Sequence, residues 1–392
     1  MDTKSNADTD SILAIAKRLN NEVLQPMKQR FVGKNEVIDL LGVSLVAREN
    51  LFILGPPGTA KSALVQDLAR RIEGRVFDYL LTRFTEPNEI FGPFDIRQLR
   101  EGNLVTNTEG MLPEATFVFL DELLNANSAI LNSLLMVLNE RVFRRGRESR
   151  SLPTLMVVGA SNNLPEDDAL RALFDRFLLR VNCTNVPDDS LSQVLKAGWK
   201  LEQREQVKQV VSVEEMVAVQ SMIELADFES VSDLFVETIR RLRTAGIDVS
   251  DRRAVKLQRM LAASAVLCGR LKVDPSDMWV LRYIWDSVEQ QTILNSLIAK
   301  AIESNQGEDN QELTKHTQSK LFQSHDPEVL ARDIESIKTR LADPDLSDVD
   351  RAQLKDQIVV LSGQFQWVSD QPQRDHLQEM VDGVWELLGE SQ

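Results

Sequence analysis

Apolar residues along this chain keep two different rhythms, and the change from one to the other falls near Val186. Upstream of it, uninterrupted apolar runs recur: Leu51-Phe52-Ile53-Leu54, Phe117-Val118-Phe119-Leu120 and Thr154 to Ala160. Runs of this kind, bounded by Gly-rich or polar segments, read as strands buried on both faces. Helical patterns separate them, such as Ala63 to Ala69 and Ala169 to Phe174. Strand and helix alternating from Arg30 to about Asn185 predict an α/β core, a parallel sheet with helices on both faces. Val186-Pro187-Asp188-Asp189 breaks the pattern, and from Ser190 to Trp285 the period is helical throughout. An amphipathic helix continues from Ser287 to Glu303, and Ser304 to Asn310 is a polar breaker. Two helices over Asp326 to Ala342 and Leu346 to Trp367, joined by Asp343-Pro344-Asp345, and a last one from Arg374 to Leu388, predict a helical arm or coiled-coil hairpin. The expected division is 1–29 N-terminal helical segment, 30–189 α/β core, 190–285 helical domain and 286–392 helical extension.

The chemistry gathers where the predicted strands end. Gly55-Pro56-Pro57-Gly58-Thr59-Ala60-Lys61-Ser62 lies between an apolar strand and a helix that opens with Ala63. Strand, Gly-rich turn and helix N-terminus aim backbone N–H groups at one point, where the helix dipole also favours anions. This is a phosphate-binding loop, with Lys61 placed for the β- and γ-phosphates and the Ser62 hydroxyl for Mg²⁺. It departs from G-x-x-x-x-G-K-[ST] at Ala60, whose methyl is harmless provided that its φ stays negative. The second run ends in Asp121-Glu122, as a Walker B strand would, with Asp121 set for the water shell of Mg²⁺ and Glu122 for the attacking water. A helix N-terminus with acidic residues in its first turn is the alternative for that pair. The third run ends at Ser161-Asn162-Asn163, where ligands bind in open α/β sheets, so Asn162 is placed to hold the water or a γ-phosphate oxygen.

These segments resemble the MoxR group of AAA+ ATPases, most closely its RavA branch. Beside the loop and Asp121-Glu122, the resemblance rests on Thr82 to Pro93, Met111 to Ala115, Ile130-Leu131-Asn132, Asn139-Glu140-Arg141, Leu164-Pro165-Glu166 and Asp175-Arg176. It implies a P-loop αβα core, a helical lid, and ATP and Mg²⁺ as cofactors. It further implies a ring, hexameric in this family, that remodels, activates or assembles client proteins, often beside von Willebrand A-domain partners. Asn162 takes the sensor 1 role by this resemblance. Arg176, with Arg171 as rival, takes that of an arginine finger acting on the next subunit's nucleotide. Val32-Gly33-Lys34 resembles the segment bordering adenine, and Ser250-Asp251-Arg252 the start of a lid helix that carries a sensor 2 arginine, with Arg253 the alternative. The expected catalytic set is Lys61, Glu122, Asn162 and Arg176. The nucleotide set is Val32, Gly33, Gly55 through Ala63 and Arg252, and the metal set Ser62 and Asp121.

Phe94 to Thr106, two alternating segments around Glu101-Gly102-Asn103, predict a β-hairpin. The resembled group carries such an insertion in its second helix, pointing to the ring centre. In that branch a β-rich insertion also follows the lid, and the breaker after Glu303 is too short to hold one.

A formal net charge of −15 over 392 residues argues against general affinity for nucleic acid. Arg141 to Arg147 is then read as interface or ring-lining charge. A nucleotide-binding scaffold or a DNA-acting AAA+ motor is the competing class. Cys183 and Cys268 lack metal-ligand spacing, and a reducing compartment suits them. Without a long apolar run or leader, a cytoplasmic protein is expected. His316, His325 and His376 are expected at the surface, and Trp367 and Trp385 as packing anchors of the arm.

Overall fold

The computed structural model describes residues 2–145, 148–165, 168–186, 191–202, 208–303, 314–320, 327–341 and 371–387, with 354, 358, 362, 365 and 368. The chain divides into two compact units, Met1–Ser319 and Lys320–Gln392. In the first, α1 (Asp2–Arg18), a π-helical stretch (Leu19–Leu24) and α2 (Gln25–Arg30) lead to α3 (Asn35–Ala47), which is buried from Val37 onward. Then follow β1 (Leu51–Leu54), α4 (Lys61–Arg71), β2 (Val76–Leu80), α5 (Pro87–Phe91), α6 (Ile96–Arg100), β3 (Phe117–Asp121) and α7 (Ser128–Glu140). The core closes with β4 (Val142–Arg145), β5 (Glu148–Ser151), β6 (Met156–Ser161), α8 (Asp168–Phe174) and β7 (Leu179–Asn182).

Five strands form one sheet in the order β2-β3-β6-β1-β7, and every pairing is parallel. β6 is buried along its whole length, the mark of a strand covered on both faces. Because the strands are parallel, Gly55, Glu122 and Asn162, each just beyond a strand, lie at the same edge. This is the edge where open α/β sheets hold ligands.

Helices α9 (Leu191–Glu202), α10 (Val213–Ser221), α11 (Ser232–Thr244) and α12 (Asp251–Leu267), a 3-10 stretch (Pro275–Tyr283) and α13 (Val288–Glu303) follow. Their starts are written in the sequence: Ser212 and Glu215 form a capping box on α10, and the Ser250 hydroxyl accepts the Arg253 N–H at the start of α12. Arg180 on β7 fastens this helical layer to the sheet. It is fully buried, its Nη1 donates to Ile284 O (3.2 Å), Trp285 O (2.8 Å) and Asp286 Oδ1 (2.5 Å), and its guanidinium lies over Phe174.

Two expectations are corrected here. Phe94 to Thr106 is no hairpin: it holds α6, joined by one isolated bridge between Phe94 and Thr106. Asp95 accepts the Arg97 (2.7 Å) and Gln98 (3.3 Å) N–H groups as an N-cap, and this local capping overrides the alternating pattern. A hairpin lies instead at β4–β5, whose first strand falls in the Arg141 to Arg147 stretch read as interface or ring-lining charge. His316 is not a surface residue. It is buried, stacked on Trp279 at 4.6 Å, and its Nε2 is 3.6 Å from Asp39, with α14 (Thr317–Lys320) directly after it. His376 is exposed, and His325 lies outside the described residues.

In the second unit, Leu330, Ile334, Ile337 and Leu341 of α15 (Pro327–Leu341) pack with Leu377, Val381 and Val384 of α16 (Gln371–Leu387). Leu354, Ile358, Phe365 and Val368 fill the same core, with Trp385 against it. The breaker at 304–310, Trp367 and most of the helix expected over 346–367 lie outside the described residues.

Candidate functional site

The loop from Gly55 to Ala60 joins β1 to α4. Gly55 has a steric reason to be glycine, since a Cβ there would stand 2.1 Å from the carbonyl oxygen of Cys183 beyond β7. Gly58 has φ +81, and a Cβ there would meet nothing within 4 Å, so the loop's mouth is open. Ala60 adopts φ +69 and ψ +23 directly before α4. The condition of a negative φ is therefore not met, and a left-handed alanine stands where the consensus has glycine. Thr59 Oγ1 donates to Pro56 O (3.0 Å), closing the turn.

Lys61 opens α4 and is buried. Its Nζ donates to Gly55 O (2.7 Å), Pro56 O (3.1 Å) and Asn162 Oδ1 (3.4 Å). Asn162 Nδ2 in turn donates to Glu122 Oε1 at 2.6 Å. The other carboxylate oxygen accepts from Asn125 Nδ2 at 3.2 Å, and the Glu122 backbone N–H donates to Asp121 Oδ1 at 2.9 Å. The helix start after β1 and the ends of β3 and β6 thus contribute Lys61, Glu122 and Asn162 to one chain of hydrogen bonds. Glu122 holds a left-handed φ of +51, which turns the chain out of β3. Ser62 is the next residue of α4, which packs on β3, whose last residue is Asp121.

Val32 and Gly33 lie just before α3. Gly33 has φ +71, and a Cβ there would reach Val186 Cγ1 at 2.6 Å, while Lys34 Nζ donates to Thr184 O. This brings the 32–34 segment against the chain beyond β7, whose Cys183 touches Gly55. Both cysteines are buried and unpaired.

Arg176 and Arg252 are elsewhere. Together with Asn139, Asp175, Asp248, Arg253, Lys256 and Asp286 they line a cavity of about 150 Å³, to which no phosphate-loop residue contributes. Register explains the separation. Leu51 pairs with Leu179 and Leu54 with Asn182, so Arg176 precedes β7 at the edge opposite Gly55. Arg253 turns inward, its Nη2 donating to Ile284 O (2.6 Å) and its Nη1 to Asp248 O (2.7 Å), whereas Arg252 is exposed. Arg171 is exposed on α8. Asp175, the residue before Arg176, has an oxygen 3.6 Å from Arg180.

Asn125 and Asn50 were not singled out by sequence. Asn50 is buried before β1 and donates to Leu138 O and Arg176 O. Asparagine next to a helix or strand end signals turns and caps equally well, so neither position stood out.

A family profile described as the MoxR domain in MoxR-vWA-beta-propeller ternary systems matches residues 17–222, and an AAA lid domain profile matches residues 230–298. Two uncharacterized proteins of Methanocaldococcus jannaschii are similar, one 34% identical over 71% of this chain and 73% of its own length. The other is 35% identical over 67% of this chain and 70% of its own. The chaperone MoxR1 of Mycobacterium tuberculosis is 26% identical over 50% of this chain and 52% of its own length. The crystal structure of a candidate ATPase from Cytophaga hutchinsonii shares the fold, with a TM-score of 0.63, 20% identity, and coverage of 76% of this chain and 98% of that one.

Proposed function

As this chain belongs to the MoxR-type AAA+ ATPases, we propose that it hydrolyses ATP between the subunits of a ring, hexameric by family analogy, and uses the cycle to remodel client proteins. The observation that carries this reading is the position of Arg176. The strand separating its edge of the sheet from the phosphate loop spans about 10 Å from Leu51 to Leu54 alone. Arg176 therefore serves a nucleotide other than its own. Arg252, in the same cavity, acts beside it in trans rather than on the loop of its own chain.

Within one subunit the loop amides and the N-terminus of α4 receive the phosphates, and Lys61 leaves the carbonyls of Gly55 and Pro56 to meet them. Val32 and Gly33 border the base. Ser62 and Asp121 are the residues that would hold Mg²⁺, which when bound would neutralise charge on the phosphates. Glu122 accepts the proton of the attacking water, and Asn162, already between Lys61 and Glu122, orients it. The Asn162 and Asn125 amides each donate to one Glu122 oxygen, which fixes the carboxylate's orientation and leaves each oxygen a further lone pair to accept from water.

A MoxR domain of vWA-containing systems, as the matched profile is described, favours a von Willebrand A-domain protein as partner. The description names the MoxR group and not its RavA branch, which rests on the sequence resemblance alone. Phe84, Ile96 and Leu99 are exposed apolar side chains on the 82–86 loop and α6, a surface suited to gripping a client. Two unpaired buried cysteines suit the reducing cytoplasm. No described helix is long and apolar enough to cross a membrane.

The test is ATP turnover against protein concentration, with oligomer mass measured in parallel, for wild type and Arg176→Ala. Specific activity should climb as rings form, and the variant should lose about a thousandfold in kcat while still binding ATP. Turnover independent of concentration and of Arg176 would overturn the trans reading.

A further inference from the structure

We infer that Asn50 is a positioning residue for Arg176, a buried amide that joins the arginine's backbone to the end of α7 and to the β4–β5 hairpin; this rests on the trans reading given above. Asn50 directly precedes β1 and is 1% exposed. Its Nδ2 donates to Leu138 O at 3.3 Å and to Arg176 O at 3.0 Å, and its Oδ1 accepts from Arg141 Nη2 at 2.6 Å. The three partners come from three elements: the last turn of α7, the residue leading into β4, and the turn between α8 and β7.

The amide answers a local need. The last carbonyls of a helix have no partner within it, and a buried carbonyl without a donor is costly. An apolar residue at position 50 would leave Leu138 O and Arg176 O without this donor. Arg141 closes α7 in a left-handed conformation at φ +52, its N–H donating to Val137 O at 3.1 Å. Its carbonyl accepts the N–H of Leu152, just beyond β5, at 2.8 Å. Both ends of the hairpin therefore meet Arg141, and Asn50 carries that anchorage to the Arg176 backbone. A hairpin displaced by a client moves Arg141, and through Asn50 the point from which Arg176 extends. A guanidinium misplaced by about an ångström is enough to lose a large part of transition-state stabilisation.

The experiment is complementation between subunits. Asn50→Ala, and Asn50→Asp, which keeps the shape and the Arg141 contact but sets oxygen against two carbonyls, are assayed for ATP turnover alone and in equimolar mixture with Glu122→Gln. Arg176→Ala is mixed with Glu122→Gln as the reference. Each Asn50 variant alone should show kcat lowered about tenfold or more with KM for ATP little changed, since its own site is intact. In the mixture, Glu122→Gln subunits lend a well-placed Arg176 to the intact sites of the Asn50 variants, and turnover should rise well above the sum of the two alone. Complementation by Arg176→Ala but by neither Asn50 variant would overturn the inference, and so would wild-type turnover of both variants alone. Failure of the Arg176→Ala reference itself would overturn the trans reading, and this inference with it.

Discussion

Ala60 holds a left-handed backbone at φ +69, where its Cβ crowds the following carbonyl at a cost of about 1–2 kcal/mol. Ala60→Gly removes that crowding but gives the unfolded chain more freedom, so a net gain of about 0.5–1 kcal/mol is expected from denaturant midpoints. Glu122, also left-handed, carries a different prediction. Glu122→Gln keeps the shape but cannot accept the proton, so turnover should fall about a hundredfold or more while ATP stays bound, as nucleotide retention on isolated protein would show. Lys61, Glu122 and Asn162 were legible because each follows a buried strand, and a parallel sheet brings such ends to one edge. The conformation of Ala60 was not, since alanine does not itself signal a left-handed turn, and the segment that closes on this loop, with the Cys183 thiol donating to Thr59 O at 3.4 Å, lies more than a hundred residues away along the chain.

At the scale of elements, the uninterrupted apolar runs mapped onto β1, β3 and β6, because strands covered on both faces have no polar period to confuse. Short, exposed segments were less legible. Over Phe94 to Thr106 an alternating pattern competes with a capping aspartate, and with no burial to reward one face, the cap decides for α6. His316 hid for the opposite reason. Its neighbours Lys315 and Thr317 are exposed, and only the meeting of α3 and Trp279 with this segment buries it. Gln318 Nε2 donates to Asp39 Oδ2 at 2.7 Å in the same seam, which Lys28 and Arg270 also face. Burial pushes the His316 imidazole down to about 4 from an ordinary value of 6.5, and Asp39 opposes this only in part. Between those two values the unfolded chain binds the extra proton, so stability falls as pH drops from about 6.5 to 4, by at most roughly 3 kcal/mol. Stability curves measured against pH for wild type and His316→Gln should diverge in that window, the variant being flatter.

At the scale of the whole molecule, the described residues form two hydrophobic cores, one on either side of the Ser319–Lys320 junction. A chain ending at Ser319 should keep its fold and bind ATP, and calorimetry of the full chain should show an endotherm that the shorter one lacks. The site was legible from sequence at the level of one subunit. In the reading proposed above, Arg176 and Arg252 act on a neighbour's nucleotide, as the resemblance already implied for Arg176. What sequence spacing did not reveal is their separation from the phosphate loop of their own chain, which strand register and the shared cavity set out. Arg180 adds something about brine. Exposed pairs such as Arg241 and Glu237 are screened away as ions crowd within about 3 Å at molar strength, yet the Arg180 guanidinium is fully buried, and its bonds to the carbonyls of Ile284 and Trp285 lie beyond the reach of those ions. Concentrated sodium chloride should therefore strip the surface of its charge pairs while the helical layer stays docked on the sheet, its orientation preserved in a solvent that dissolves weaker attachments.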